Sequence, residues 1–326
     1  MCPPMHTTTL RSNESAVPQG AAADSAAPLP PALDAEEGSI DIVREGRVHY
    51  YADRDAPGTP VLLVHSINAA ASAYEMKPLF EALRGRHPVY AIDLPGFGRS
   101  GRADRPYTAE GYADVIERVI VDLVAPTGGG CDIVALSLAS EFAARVAVRA
   151  PELVRRLTLI SPTGLSSKRP PPVVDALRRR FFAPLLRVGP VGRGLFALLR
   201  TERSIRHYLA KSFVGPIDEG LARYAWRSAQ ADGAEHAPLN FLSGALFDPD
   251  ATEHLYAKLT VPTTVVHDVD PYTDFGRLAG LVDHNAHVRA ARVAPSRGLP
   301  HFEQTQKVAE LIAASGAVDA QDVPAR

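Results

Sequence analysis

Apolar residues in this chain gather into short, nearly continuous runs, and stretches of helical spacing separate those runs. Around Glu45-Gly46 the segments 39–44 and 47–52 alternate apolar with polar, the pattern of an antiparallel hairpin with one solvated face. Residues 60–65, 88–93, 132–136 and 157–161 are instead apolar almost throughout, as strands covered on both faces must be. Between them, residues 74–83, 109–124 and 140–149 read as helices, and strand, helix, strand in succession predicts a parallel sheet. After Thr163-Gly164 the alternation stops, and about 95 residues pass before the next buried strand at 261–267. Within that interval Val174, Leu177, Phe181 and Leu185 fall at helical spacing, and 195–199 and 205–209 offer further helical faces. A strand at 287–294 and a helix from 302 to 314 close the pattern. The fold class predicted is α/β, a mostly parallel central sheet of about eight strands flanked by helices, with an inserted helical lid.

The expected organisation is therefore a disordered segment at 1–38, a core formed by 39–163 and 258–315, a lid at 164–257 and a flexible tail at 316–326. Residues 1–38 hold eight alanines and six prolines and lack both a continuous apolar core and helical periodicity. Apolar residues make up 46% of the chain and charged residues 22%, and a net charge of -2 gives no general attraction to nucleic acid. No run approaches the roughly 18 apolar residues of a membrane span. Cys2 and Cys131 are the two cysteines, so a disulfide framework or a cysteine zinc site is not expected, and the setting expected is cytoplasmic.

Candidate chemistry begins at Ser137, where the strand 132–136 runs directly into a helix of small residues. Such a corner strains the central residue, lifts its hydroxyl above the sheet and demands small neighbours two positions away, here Ala135 and Ala139. A serine that merely satisfies helix-start backbone groups is the plainer alternative. Hydroxyl attack on a carbonyl needs a base, a group that orients the base, and donors for the oxyanion. His301 follows the last strand at the mouth of the last helix and is the expected base; a solvated loop histidine is the alternative. Asp270, in the loop after the preceding strand, is the expected orienting acid, with Asp268 and Asp274 as rivals and turn-forming as their ordinary use. The backbone N–H groups of Leu138 and Ile67 are the expected oxyanion donors. Asn68 adds a side-chain donor or braces its loop.

Together these segments resemble the α/β-hydrolase fold superfamily, in its lid-bearing serine hydrolase branch, from about residue 38 to 314. His65-Ser66-Ile67 resembles the family's oxyanion motif, Asp93-Leu-Pro-Gly-Phe-Gly-Arg-Ser100 its strand-end turn, and Ala135-Leu-Ser137-Leu-Ala139 its nucleophile elbow. Asp270-Pro271 and Leu299-Pro-His301-Phe-Glu303 resemble its acid and base segments, and the order Ser, Asp, His agrees. Three departures stand out: Ser66 where the family has glycine, alanine for both elbow glycines, and no glycine before the acid. Ser66 thus becomes a possible substrate or loop contact, as does Asn68. The resemblance implies an acyl-serine route, since the aspartate nucleophile of dehalogenases and epoxide hydrolases is absent at position 137.

Between Lys168 and Lys211 there are eleven Lys or Arg and two acids. A basic lid is compatible with weak contact to an anionic lipid surface, but a solvated arginine face over an apolar pocket is the simpler expectation. Phe181, Phe182, Leu185, Phe196, Leu199 and Phe213 are candidates for pocket lining, with lid core as the plainer use. The function expected is hydrolysis of an ester-like bond, carboxylic ester or thioester, in an apolar small or medium substrate. The alternatives are a catalytically altered ligand-binding protein, an acyltransferase, or a carbon-carbon bond hydrolase with the same triad. The expected partner is a small-molecule acyl substrate; no cofactor, metal, nucleic acid or stable membrane insertion is called for.

Overall fold

The computed structural model describes residues 28–126, 129–168 and 189–314. The hairpin strands β1 (Glu36–Ile42) and β2 (Gly46–Asp53) lead into β3 (Val61–Val64), β4 (Val89–Asp93), β5 (Cys131–Leu136), β6 (Val154–Ile160), β7 (Thr263–Val269) and β8 (Val288–Arg297). They form one sheet in the order β1-β2-β4-β3-β5-β6-β7-β8. β1 and β2 pair antiparallel, β2 is antiparallel to β4, and every later pairing is parallel. The mostly parallel eight-stranded sheet with flanking helices is the one expected from the run pattern.

The apolar runs divide by alternate residues. Leu62, Val64, Tyr90, Ile92, Ile133 and Ala135 turn to one face, where α2 (Ala109–Val119) and α3 (Ala139–Arg149) bury Ile116, Val119, Phe142 and Ala143. Val61, Leu63, Val89, Ala91, Val134 and Leu136 turn to the other, under α1 (Lys77–Leu83) and the C-terminal helix, which contribute Leu79, Phe80, Val308 and Ile312. Each fully buried Val, Leu, Ile or Phe side chain among them contributes about 1.5–3 kcal/mol. With β5 at the centre of the sheet, the corner that follows it rests on core from both sides.

Order begins earlier along the chain than residue 39. Leu33 is buried against the α1 face, Ala32 N–H donates to the Tyr51 hydroxyl at 3.0 Å, and Pro30 C=O accepts from Tyr224 at 3.0 Å. The apolar anchor is Leu33 with Ala32, flanked by Leu29 and Ala35, in a proline-rich stretch whose spacing leaves no periodic signal. Residues 1–27 and 315–326 lie outside the described residues, as do Val174, Leu177, Phe181, Phe182 and Leu185.

Between β6 and β7 come α4 (Gly189–Leu199), α5 (Glu202–Lys211), α6 (Glu219–Ala229), α7 (His236–Leu242) and the single turn α8 (Ala251–His254). Phe196, Ile205, Ala225 and Ala229 pack into a small cluster of their own, joined by Ala70 from the loop after β3. Phe213 goes edge-on to Phe302, with ring centroids 5.8 Å apart. Arg206 forks onto Glu202 and Glu219, so part of the basic charge of this segment is neutralised locally. Among the described residues no helix is long and apolar enough to cross a membrane.

The turn after β4 shows how tightly the site edge is built. Asp93, fully buried, accepts from Ala73 N–H at 2.7 Å and Arg99 N–H at 2.9 Å, and burial pushes its carboxyl up to about 6. Gly98 passes directly over this carboxylate at φ 51°; a Cβ there would lie 2.0 Å from Asp93 Cγ. Gly98→Ala is therefore expected to destabilise the fold by more than about 3 kcal/mol, through overlap and left-handed strain together, as read by denaturant unfolding.

Candidate active site

Because β3 to β8 run parallel, the loops that leave their carboxyl ends gather along one edge, where open α/β sheets bind ligands. Ser137 leaves β5 there with φ 56°, the left-handed region that a side chain adopts only at a cost. Three contacts hold it. Ser137 N–H donates to Ile160 C=O at 2.8 Å, Ser140 Oγ donates to Ala135 C=O at 3.2 Å, and Ser140 N–H donates to Ser137 C=O at 3.1 Å. Ala135 and Ala139 are completely buried, so the methyls that replace the glycines have found room. Ser137 itself is half-buried. Leu138 is the cap residue of α3, where the first N–H groups have no intrahelical partner.

The loop after β3 is braced from within by Glu75. Its carboxylate accepts from Ser66 N–H at 2.9 Å and from Asn68 Nδ2 at 2.7 Å; Asn68 also donates to Ser66 Oγ at 2.9 Å and accepts from Ala70 N–H at 2.8 Å. Burial raises the Glu75 carboxyl, and these donors oppose the rise. Ser66 and Asn68 thus serve the loop's shape in this arrangement. His65 Nε2 accepts from Leu94 N–H at 2.9 Å, which places the ring proton on Nδ1, donating to Ser66 C=O at 2.6 Å. Burial holds His65 neutral, down at about 4. The loop is thereby fixed on both sides of Ile67, itself buried.

Of the three candidate acids, two are engaged elsewhere. Asp268 pairs with Arg292 at 2.8 Å and accepts from Ser296 N–H at 2.9 Å. Asp274 accepts from Ser166 and from the N–H groups of Ser167 and Gly276, which hold its carboxyl well below the usual range. Asp270 remains. Its Oδ1 accepts from Tyr272 N–H at 2.7 Å and Thr273 N–H at 3.1 Å, and partial burial raises its pKa.

The relay expected through His301 is not assembled in this structure. His301 sits on the short helix α9 (Pro300–Glu303), fully buried, and its Nε2 donates to Glu75 C=O at 2.7 Å. Nδ1 is also buried and has no hydrogen-bond partner. Neither ring nitrogen is bonded to Ser137 or Asp270. Asp270 Oδ2 instead faces Gly298, where a Cβ would stand 3.4 Å away. The roles of Glu75 and Gly298 were missed in the sequence. An acid inside the apolar run Ala73–Met76 was the available signal for the first; one glycine at a strand end gives none for the second.

A strained serine at a helix start, a braced loop beside it and a carboxylate across the edge together suit attack on a carbonyl. The family model described as the alpha/beta hydrolase family matches residues 61–311. The chain belongs to the alpha/beta hydrolase family. Among curated relatives, human (lyso)-N-acylphosphatidylethanolamine lipase is 30% identical over 66% of this chain and 66% of its own length. The 2-(acetamidomethylene)succinate hydrolase of Mesorhizobium japonicum is 28% identical over 58% of this chain and 66% of its own length. The match to the mouse (lyso)-N-acylphosphatidylethanolamine lipase spans 46% of that protein. Solved structures share the fold: a bacterial membrane phospholipase A at TM-score 0.68, with 21% identity over 87% of each chain, and the CarC serine hydrolase of carbazole degradation at 0.67, with 18% identity over 87% of this chain and 99% of that one.

The His301 geometry has a measurable consequence in this alpha/beta hydrolase. Burial lowers its pKa from 6.5 to about 4, so the folded ring stays neutral where an exposed histidine protonates. The unfolded chain takes the proton first, so His301 contributes stability that is complete above pH 6.5 and lost as pH falls towards about 4. In an NMR titration its ring carbon shifts should stay flat from pH 8 to about pH 5; a midpoint near 6.5 contradicts the burial described.

Proposed function

We propose that the protein binds an ester-like compound, a carboxylic ester or thioester with an apolar acyl group, and acts on it through an acyl-Ser137 intermediate. The observation that carries this reading is the left-handed φ of 56° at Ser137, a strain that the fold maintains at the corner between β5 and α3. In this reading Ser137 Oγ forms the bond to the carbonyl carbon. The N–H groups of Ile67 and Leu138 donate to the oxyanion, and Asp270 supplies the negative charge that would stabilise a cationic base placed beside it. Lipase and hydrolase relatives support an acyl-group substrate class. Acyl transfer and carbon-carbon bond hydrolysis would differ only in what the same serine attacks and what releases it.

A second reading, a ligand-binding protein on a hydrolase scaffold, is favoured by one observation: neither His301 nitrogen is hydrogen-bonded to Ser137 or Asp270. The readings differ in what a fluorophosphonate probe does to the purified, folded protein. Covalent labelling at Ser137, with loss of labelling and of p-nitrophenyl butyrate turnover in Ser137→Ala at an unchanged melting temperature, is the outcome expected of the first. Turnover that survives Ser137→Ala would reject it.

A further inference from the structure

We propose that residue 298, not residue 301, is the position from which a base would serve this site, and that glycine there leaves the Ser137 hydroxyl and the Asp270 carboxylate unbridged. The inference rests on the Ser137 reading above and adds to it how the proton is handled. Three observations meet at this point.

The first is Asp270 itself. Oδ1 is occupied by the N–H groups of Tyr272 and Thr273, which fixes the carboxylate's plane and leaves Oδ2 as the oxygen turned to a neighbour. The second is what that neighbour is. A Cβ on Gly298 would lie 3.4 Å from Oδ2 and 3.4 Å from Ser212 Cβ, ordinary contact distances, so a side chain could start here without collision. The Gly298 N–H is held by Val269 C=O at 2.9 Å, so the residue is pinned to the very strand end that carries Asp270. An imidazole grown from that point would carry Nδ1 two bonds from Cβ, within reach of Oδ2. The third is His301, whose Nε2 proton goes to Glu75 C=O and whose Nδ1 is sealed from solvent. Its use as base would require breaking a buried hydrogen bond and turning the ring through packed core.

The chemistry follows. Attack by Ser137 forms the Oγ–C bond, moves the carbonyl π pair to oxygen and releases the hydroxyl proton, which a base must accept. Collapse of the tetrahedral species breaks the bond to the leaving alcohol or thiol, which takes a proton back from that base. Water then repeats both steps on the acyl-serine. A positioned base contributes about 10²–10⁴-fold to such steps. With glycine at 298 the wild-type protein lacks that factor, and a weak base supplied from solution can replace part of it.

The test uses the full chain and p-nitrophenyl butyrate, with fluorophosphonate labelling of Ser137 as the second readout. Gly298→His should raise kcat/KM about a hundredfold, with a pH profile that inflects near the ordinary imidazole pKa, and the gain should vanish in Gly298→His/Ser137→Ala. The left-handed φ of 69° at Gly298 strains any side chain, so a second arm needs no substitution. Added imidazole should accelerate labelling of the wild-type Ser137 at least tenfold, with a saturating dependence on its concentration, beyond its effect in Ser137→Ala controls. If the wild-type protein already turns over the ester with an inflection between pH 6 and 7, and His301→Gln removes it with the fold retained, the assignment of the base to 298 is overturned while the Ser137 reading stands. If Ser137 is labelled neither with imidazole nor in folded Gly298→His, both fall.

Discussion

The site depends on one constraint: β5 must turn into α3 within two residues, Ser137 and Leu138. Continuing either element straight would carry Ser137 into the sheet or into the helix, so the backbone takes up a left-handed conformation there. What stabilises it is local and specific. The Ser137 N–H stays in the sheet ladder through Ile160, while Ser140 reaches back to Ala135 C=O and ties the helix start to the strand end. Because β5 lies at the centre of the sheet with apolar side chains on both faces, the corner cannot relax without disturbing two cores. The same neighbouring strand carries a second residue of this kind, Ser161 at φ 45°, so strain is shared along the edge where the loops converge.

Most of the sheet was legible because burial on both faces leaves no polar position to interrupt the apolar runs, and the helices between them kept their spacing. Boundaries moved by a few residues where hydrogen bonding, not hydropathy, decides where a strand ends. Residues 28–38 were read as disordered from their prolines and alanines, whereas Leu33 and the carbonyl and amide groups around it find partners that lie far along the chain. Such contacts carry no periodic signature.

The strained corner at Ser137 was legible for the same reason as the strands: it is a strand-to-helix junction, which the apolar pattern marks. The choice among Asp268, Asp270 and Asp274 was not, because it turns on partners such as Arg292 and Ser166 that only the fold assembles. His301 shows the limit most clearly. Its place after the last strand suits a base, but one helical turn buries the ring, and the Glu75 backbone carbonyl supplies the partner that keeps Nε2 protonated. Glu75 thus serves two neighbours, its carboxylate shaping the loop at Ser66 and its carbonyl fixing the imidazole.

Glu303, half-buried beside His301, has a wide reach. One carboxylate oxygen accepts from the N–H groups of Val214 and Gly215 in the loop between α5 and α6, and the other from Arg297 N–H at the end of β8. A single side chain therefore couples the inserted segment to the bend that carries Gly298. Moving either segment breaks these bonds or carries the other with it, so the two are mechanically one unit at this point.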